Sequence, residues 1–209
     1  YTSNGIGTSN FKIRGISDVG AVYVEHYAIT TNNGVSSGTN TLERYLSSST
    51  GIQSSSTSTL VVNKDGTYNN NAGQVLLGSD YSATAIQGIG ADGKVYVRTT
   101  VSASSGSTTT MNVEIKRYNG DGTLDTTWMP GGGNKLMLTN VDQSHGLVIS
   151  RGVLADDKLY VKTWDATMGL ALITRYTNTG VLDTTYAIKL PPGVQPSDIR
   201  GQDADGKQY

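Results

Sequence analysis

Apolar positions in this chain come in short runs set between polar turns. Val22-Tyr23-Val24, Val95-Tyr96-Val97 and Leu159-Tyr160-Val161 are triplets of β-branched, aliphatic and aromatic residues, the types that fit a pleated, half-buried strand. Each follows a turn: one through Asp18 and Gly20, one through Ala91-Asp92-Gly93-Lys94, one through Ala155-Asp156-Asp157-Lys158. Asp-Gly pairs supply the positive φ angles of a tight hairpin. The stretches Met111 to Tyr118 and Leu170 to Tyr176 alternate or run continuously apolar, as strands buried on one or both faces do. No window keeps a helical spacing for three turns. The pattern predicts an all-β protein of short antiparallel strands.

The same pattern repeats. Ile13-Arg14-Gly15-Ile16, Ile86-Gln87-Gly88-Ile89, Ser150-Arg151-Gly152-Val153 and Ile199-Arg200-Gly201 each open a hairpin, with their glycines 73, 64 and 49 residues apart. The repeated unit is therefore fixed and the connections vary. Between the hairpins a second block recurs, from Arg117-Tyr118 through Asn119-Gly120-Asp121-Gly122 to Leu124-Asp125-Thr126-Thr127-Trp128. It returns as Arg175-Tyr176 through Asn178-Thr179-Gly180 to Leu182-Asp183-Thr184-Thr185-Tyr186. Leu42-Glu43-Arg44-Tyr45 with Gly51-Ile52 reads as a degenerate first copy carrying a Ser-rich insertion. The divisions are a degenerate unit over residues 1–72, a second unit over 73–137, a third over 138–193 and the start of a fourth over 194–209. Units of this size with about four short strands each are a signature of propeller-like arrays, which need neighbours to bury their faces.

Composition narrows the function classes. The 209 residues carry a net charge of -1 and no cysteine. A basic nucleic-acid binder, a polybasic membrane-surface protein, a disulfide framework and a thiolate metal site are all disfavoured. No apolar run is long enough for a membrane helix, so no membrane insertion is expected. Gly, Thr, Ser and Asn together supply 88 residues, too many small polar types for long amphipathic helices. The chain shows neither an initiator Met nor a signal peptide. Its two ends are copies of one element, so it reads as a segment of a longer repetitive chain.

The Ala-Asp-Gly-Lys turn before Val-Tyr-Val, joined to an Arg-Tyr-Asn-x-Asp-Gly-x-Leu-Asp-Thr-x-aromatic block, resembles the bacterial delta-sixty β-propeller repeat. The match is clearest at Asp92 to Arg98, Arg117 to Trp128, Ala155 to Lys162 and Arg175 to Tyr186. It departs in the first unit, where Ala21 stands in place of the Lys. The resemblance implies a β-propeller-like array of about three units in a secreted, surface-attached or phage-associated protein. It implies no catalytic activity and no cofactor.

Candidate chemistry is sparse. The two histidines, His26 and His145, fall at non-equivalent positions. Asp142, Ser144 and His145 are sequence neighbours, which is not how a catalytic triad is assembled. The three glutamates, Glu25, Glu43 and Glu114, form no assignable catalytic pair. No catalytic residue is assigned. Asn119, Asp121, Thr123 and Asp125 alternate like a calcium loop, yet Thr177, Thr179, Val181 and Asp183 stand at their places in the next copy. An Asx-capped turn is the simpler reading. Arg44, Arg117 and Arg175 each precede a Tyr, and repetition marks them as structural, bridging adjacent units or stacking on aromatics. The chain has 12 Tyr and 2 Trp against one Phe, a skew toward flat rings with a polar edge, as sugar binding uses. Tyr23, Tyr96 and Tyr160 share one repeat position and Tyr118 and Tyr176 another; Trp164, Tyr27, Tyr68 and Tyr81 lie outside them and are the ligand-binding candidates. Ser47 to Thr59 and Ser102 to Thr110 read as solvated loops on a rigid scaffold, where recognition resides. The expectation is a non-catalytic structural and adhesion segment of a bacterial cell-surface or virion tail-fibre protein, extracellular, with a cell-surface glycan, a receptor or other fibre subunits as partner. A purely structural filament or spike that self-assembles as a homo-oligomer is the first alternative, and a carbohydrate-active propeller enzyme the second.

Overall fold

A computed structural model describes residues 8–17, 20–47, 62–79, 84–90, 92–105, 108–138, 158–165 and 168–191. Within these the chain is all-β, with three antiparallel sheets in chain order. The first holds β1 (Thr8–Ile16), β2 (Val22–Asn32), β3 (Val35–Ser47), β4 (Val62–Lys64) and β5 (Val75–Gly78). The second holds β6 (Thr84–Ile89), β7 (Val95–Ser105), β8 (Thr108–Tyr118) and β9 (Lys135–Leu138). The third holds β10 (Leu159–Asp165), β11 (Leu170–Tyr176) and β12 (Leu182–Lys189).

The repeat is visible in the register. Ile13 pairs with Val24 and Gly15 with Tyr23, just as Ile86 pairs with Val97 and Gly88 with Tyr96. Both pairs of strands carry a bulge at the residue between, Arg14 or Gln87. The recurring glycine has a steric reason in the first unit: a Cβ on Gly15 would stand 3.0 Å from Ile89 Cδ1 of the second. Leu42 opposite Val75 matches Ile115 opposite Leu136 and Ile173 opposite Ile188. In the first sheet β4 and β5 share one edge of β3, and the segment between them is the turn that completes the unit.

That turn contains α1 (Tyr68–Asn71), whose Asn69, Asn70 and Asn71 have φ of 54°, 55° and 68°. It is a left-handed turn in substance, and asparagine tolerates that conformation better than other residues with a Cβ.

Neighbouring sheets meet face to face. Tyr23, Leu42, Tyr68 and Val75 of the first sheet pack with Ile86, Val95 and Val97 of the second. Tyr96, Ile115, Trp128 and Leu136 of the second pack with Leu159 and Val161 of the third. Apolar side chains thus lie on both faces of the middle sheet, which is why Val95, Tyr96 and Val97 run apolar without alternation.

The polar tract from Ser102 to Thr110 behaves differently from its reading as a loop. Its described residues continue β7 and β8 as a ladder from Ser102 opposite Met111 to Ser105 opposite Thr108. Backbone pairing needs no apolar side chain, and Thr favours extended geometry. The ladder therefore outlasts the core. Thr30 to Thr39 forms a similar ribbon closed by Asn33-Gly34, both with positive φ, a tight-turn pair with the required twist.

Gly122 and Gly131 test how closely the sheets approach. Both have positive φ, +88° and +77°, but a Cβ on Gly122 would sit 2.8 Å from ring carbons of Tyr68 while one on Gly131 meets nothing within 4 Å. Backbone strain is common to both, so the Gly122→Ala variant is expected to lose about 1–3 kcal/mol more than Gly131→Ala in urea unfolding.

Candidate functional site

The polar groups that recur in every unit come together at one place in each. In the second unit Arg117 stands one residue before the end of β8, and the turn that follows brings Asp125, Thr127 and Trp128 back beside it. Arg117 Nε and Nη2 donate to Asp125 Oδ2 at 2.9 and 2.6 Å. Asp125 Oδ1 accepts the Thr127 amide and hydroxyl at 3.0 and 2.9 Å. The guanidinium lies 5.5 Å from the Trp128 ring, and Trp128 meets Tyr96 edge to face at 5.5 Å. One planar, permanently charged group thus grips an anion with two nitrogens and lies by an aromatic ring, a fork that a compact ammonium does not offer.

The constellation is built three times. Arg175 donates to Asp183, Asp183 accepts Thr185, and Tyr186 lies under the guanidinium at 4.3 Å and against Tyr160 at 5.5 Å. In the first unit the partners are Arg44, Asp65, Thr67, Tyr68 and Tyr23. The first copy of the block is therefore completed by Asp65-Gly66-Thr67-Tyr68, beyond the insertion, instead of at Gly51-Ile52.

The remaining guanidinium corner reaches the next unit. Arg44 Nη1 donates to the carbonyl of Gly120, and Arg117 Nη1 donates to the carbonyl of Asn178 at 2.5 Å. Gly120 and Asn178 occupy the same place in successive turns. The Asn69 amide adds a bond to the Asp121 carbonyl at 2.6 Å. Arg44 and Arg117 thus both bridge units and stack on aromatics, as the repetition suggested. Arg175 makes no such carbonyl bond among the described residues.

Electrostatics follow from the geometry. Burial raises the Asp125 and Asp65 carboxyls, but the threonine and arginine donors outweigh it and hold both below the usual carboxylate range. Half-buried Asp183 is brought down to about 2, first by the Thr185 hydroxyl and then by Arg175. These are carboxylates fixed in the charged state, unsuited to general acid or base work near neutrality.

A second polar cluster belongs to the first unit alone. Glu43 Oε1 accepts Lys64 Nζ at 2.8 Å and lies 3.3 Å from His26 Nδ1, while Tyr45 donates to Oε2 at 2.8 Å. Phe11 stacks on the His26 ring at 4.1 Å. Burial pushes Glu43 up, yet these donors hold it below the usual range, and burial with the Glu43 contact pushes Tyr45 to about 12. Glu25 is buried separately between Arg14 and Asn40, and Glu114 pairs with Lys116 and Lys135. Each glutamate has its own cation, so no two form an acid–base pair.

The sequence candidates are dispersed. Tyr68 is fully buried and is the repeat aromatic of the first unit, equivalent to Trp128 and Tyr186. The insertion before it hid that equivalence. Tyr27 is half-buried on β2, with its hydroxyl 2.6 Å from where a Cβ on Gly38 would stand. Trp164 lies in β10 opposite Ala171, one pair from the hairpin end, and its side chain lies outside the described residues. Tyr81, His145 and nearly all of Ser47 to Thr59 also lie outside them. In the calcium-like stretch Asn119 donates to Thr123, Asp121 accepts the Thr123 amide and hydroxyl, and Asp125 serves Thr127 and Arg117. Those oxygens close turns.

Two hollows adjoin these elements. One of about 170 Å³ lies between Lys12–Ile16 and Ile86–Ile89, and an open one of about 520 Å³ runs along Thr127 to Gly132 and Thr179. Neither lining holds a carboxylate or a histidine.

Two outcomes are expected. Arg117→Lys keeps the charge but loses the fork, and is expected to cost about 2–4 kcal/mol in chemical unfolding. For acid, the aspartates are more acidic folded than unfolded, so their contribution is complete above the ordinary carboxylate pKa of about 4 and is lost as pH falls toward the Asp183 value of about 2. Melting temperature by circular dichroism is expected to hold from pH 7 to about pH 5 and fall below about pH 4, less steeply in Asp125→Asn. No protein-family model, curated protein or solved structure matches the chain.

Proposed function

We propose that the chain is a non-catalytic, β-propeller-like repeat segment of the delta-sixty type, from a bacterial surface or phage tail-fibre protein, whose hairpin ends recognise a cell-surface glycan or receptor. One observation carries the reading. The polar groups common to the units bind one another and the next unit's backbone, while the units differ in the hairpins that leave the sheets.

The ribbon of Thr30 to Thr39 ends in Asn33-Gly34, the second continues through Ser102 and Met111, and the third closes at Asp165 opposite Leu170. All three extend the same pair of strands in their units. On the first, Val35 is 71% exposed, and the hydroxyls of Thr31 and Ser36 bond each other while that of Ser37 donates to the Thr30 carbonyl. A rigid frame with variable hydroxyl-bearing ends suits polar, sugar-like ligands. Trp164 belongs to the same hairpin ends.

A second reading, a purely structural filament or spike component, is favoured by the apolar edge of β1, where Phe11, Ile13 and Ile16 are more than 60% exposed.

The test is a glycan array and intact bacterial cells probed with the chain and with a variant in which Asn-Gly joins Ser102 directly to Met111. Saturable binding that the shortened variant or Trp164→Ala loses, with melting temperature retained, is the expected result. Absence of binding to any glycan or cell type rejects recognition and leaves the structural reading, and hydrolysis of an array glycan would make the chain an enzyme.

A further inference from the structure

Among the described residues every arginine but one grips a carboxylate. Arg14 donates to Glu25, Arg44 to Asp65, Arg117 to Asp125 and Arg175 to Asp183. Arg98 has no such partner. Its Nε is shut off from solvent and finds no acceptor, and burial alone acts on the guanidinium, drawing its pKa down with no carboxylate to offset it.

The register explains how this arises. Arg98 stands on β7 between Ala85 of β6 and Ile115 of β8. It shares a face with Tyr96, at the margin of the apolar core of the second joint, and that core strips water from its stem. In the first unit the equivalent residue is Glu25, which Arg14 and Asn40 satisfy, and Lys12 lies opposite it on β1. The second unit has Gln87 at the place of Arg14 and Ala85 at the place of Lys12. The acid is therefore gone, a cation stands where it was, and the neighbouring strand offers a methyl group where the first unit has a long side chain.

A desolvated cation without a partner is a local conflict that costs stability, and folds keep such conflicts where function needs them. The planar fork of a guanidinium matches a carboxylate. Beyond Arg98 the same face of β7 continues through Thr100 to Ser102, where the strand leaves the core for its hairpin. Hydroxyl-bearing residues thus lead from the cation to the hairpin.

We propose that Arg98 anchors an acidic-sugar site at the root of the second hairpin, where its guanidinium takes the carboxylate of the sugar beside Ala85 and the ring extends toward Thr100 and Ser102. It rests on the reading that the chain recognises glycans, and it names the sugar class.

Isothermal titration calorimetry and thermal unfolding at fixed ionic strength test it, with glucuronate, N-acetylneuraminate, glucose and acetate as probes. The whole chain is expected to bind at least one of the two acidic sugars saturably and to gain about 3–6 °C in melting temperature at about ten times the dissociation constant, with no response to glucose. Arg98→Met is expected to lose that binding and, having shed an unpaired cation, to melt no earlier than the whole chain does without sugar. Arg98→Lys keeps the charge without the fork and is expected to bind about tenfold more weakly. An Arg98→Met variant that melts several degrees earlier, or fails to fold, makes the arginine structural and overturns the proposal. Acidic-sugar binding that survives in Arg98→Met overturns it too, and an equal response to acetate would mean an adventitious ion only. Binding confined to neutral array glycans overturns the Arg98 site and leaves glycan recognition standing, whereas no binding to any glycan or cell type rejects both.

Discussion

The structure depends on what one guanidinium can do at once. Two of its nitrogens grip a carboxylate, its plane covers an aromatic ring, and its last corner reaches a backbone carbonyl in the next unit. Asp125 fixes the rotation of Arg117 and aims that corner at the Asn178 carbonyl, with the Tyr96 hydroxyl also in reach at 3.4 Å. The threonine two residues after the aspartate occupies the other carboxylate oxygen and prevents it from turning. Local order within a unit and adhesion between units are therefore one event, and neither the charge alone nor the ring alone would produce both.

Buried ion pairs often contribute little net stability because desolvation offsets attraction. Here their value lies in geometry. The sheets meet through apolar side chains that would tolerate sliding, and a directional bond at each joint fixes how one sheet sits on the next. The glycines at the contact complete this, because Gly122 lets the Tyr68 ring reach the turn backbone that the guanidinium also touches. A chain built this way can vary its hairpins freely. That freedom is what the proposed recognition role draws on.

Much of this was legible in the sequence. The Val-Tyr-Val triplets became the buried central strands, and the Arg-Tyr repetition marked groups that join units. The aspartate partner was equally visible at Asp125 and Asp183, eight residues after its arginine. In the first unit the insertion moves it to Asp65, 21 residues from Arg44, so spacing failed there and Tyr68 passed for a surface ring. Pairing between Glu43 and His26 was hidden for another reason: it depends on register across strands, which a single chain read end to end does not display. The ribbon at Ser102 was read as a loop because its residues are polar, whereas a two-stranded ladder is held by backbone bonds that leave no trace in side-chain hydropathy.

The most direct test of the central claim is a double-mutant cycle between Arg117→Gln and Asp125→Asn, read by urea unfolding. If the guanidinium fork organises the joint, the two losses are coupled by at least about 1 kcal/mol, within the range found for residues sharing one charged network. Losses that add to within about 0.5 kcal/mol would mean that the two residues act independently, and apolar packing alone would then hold the sheets together.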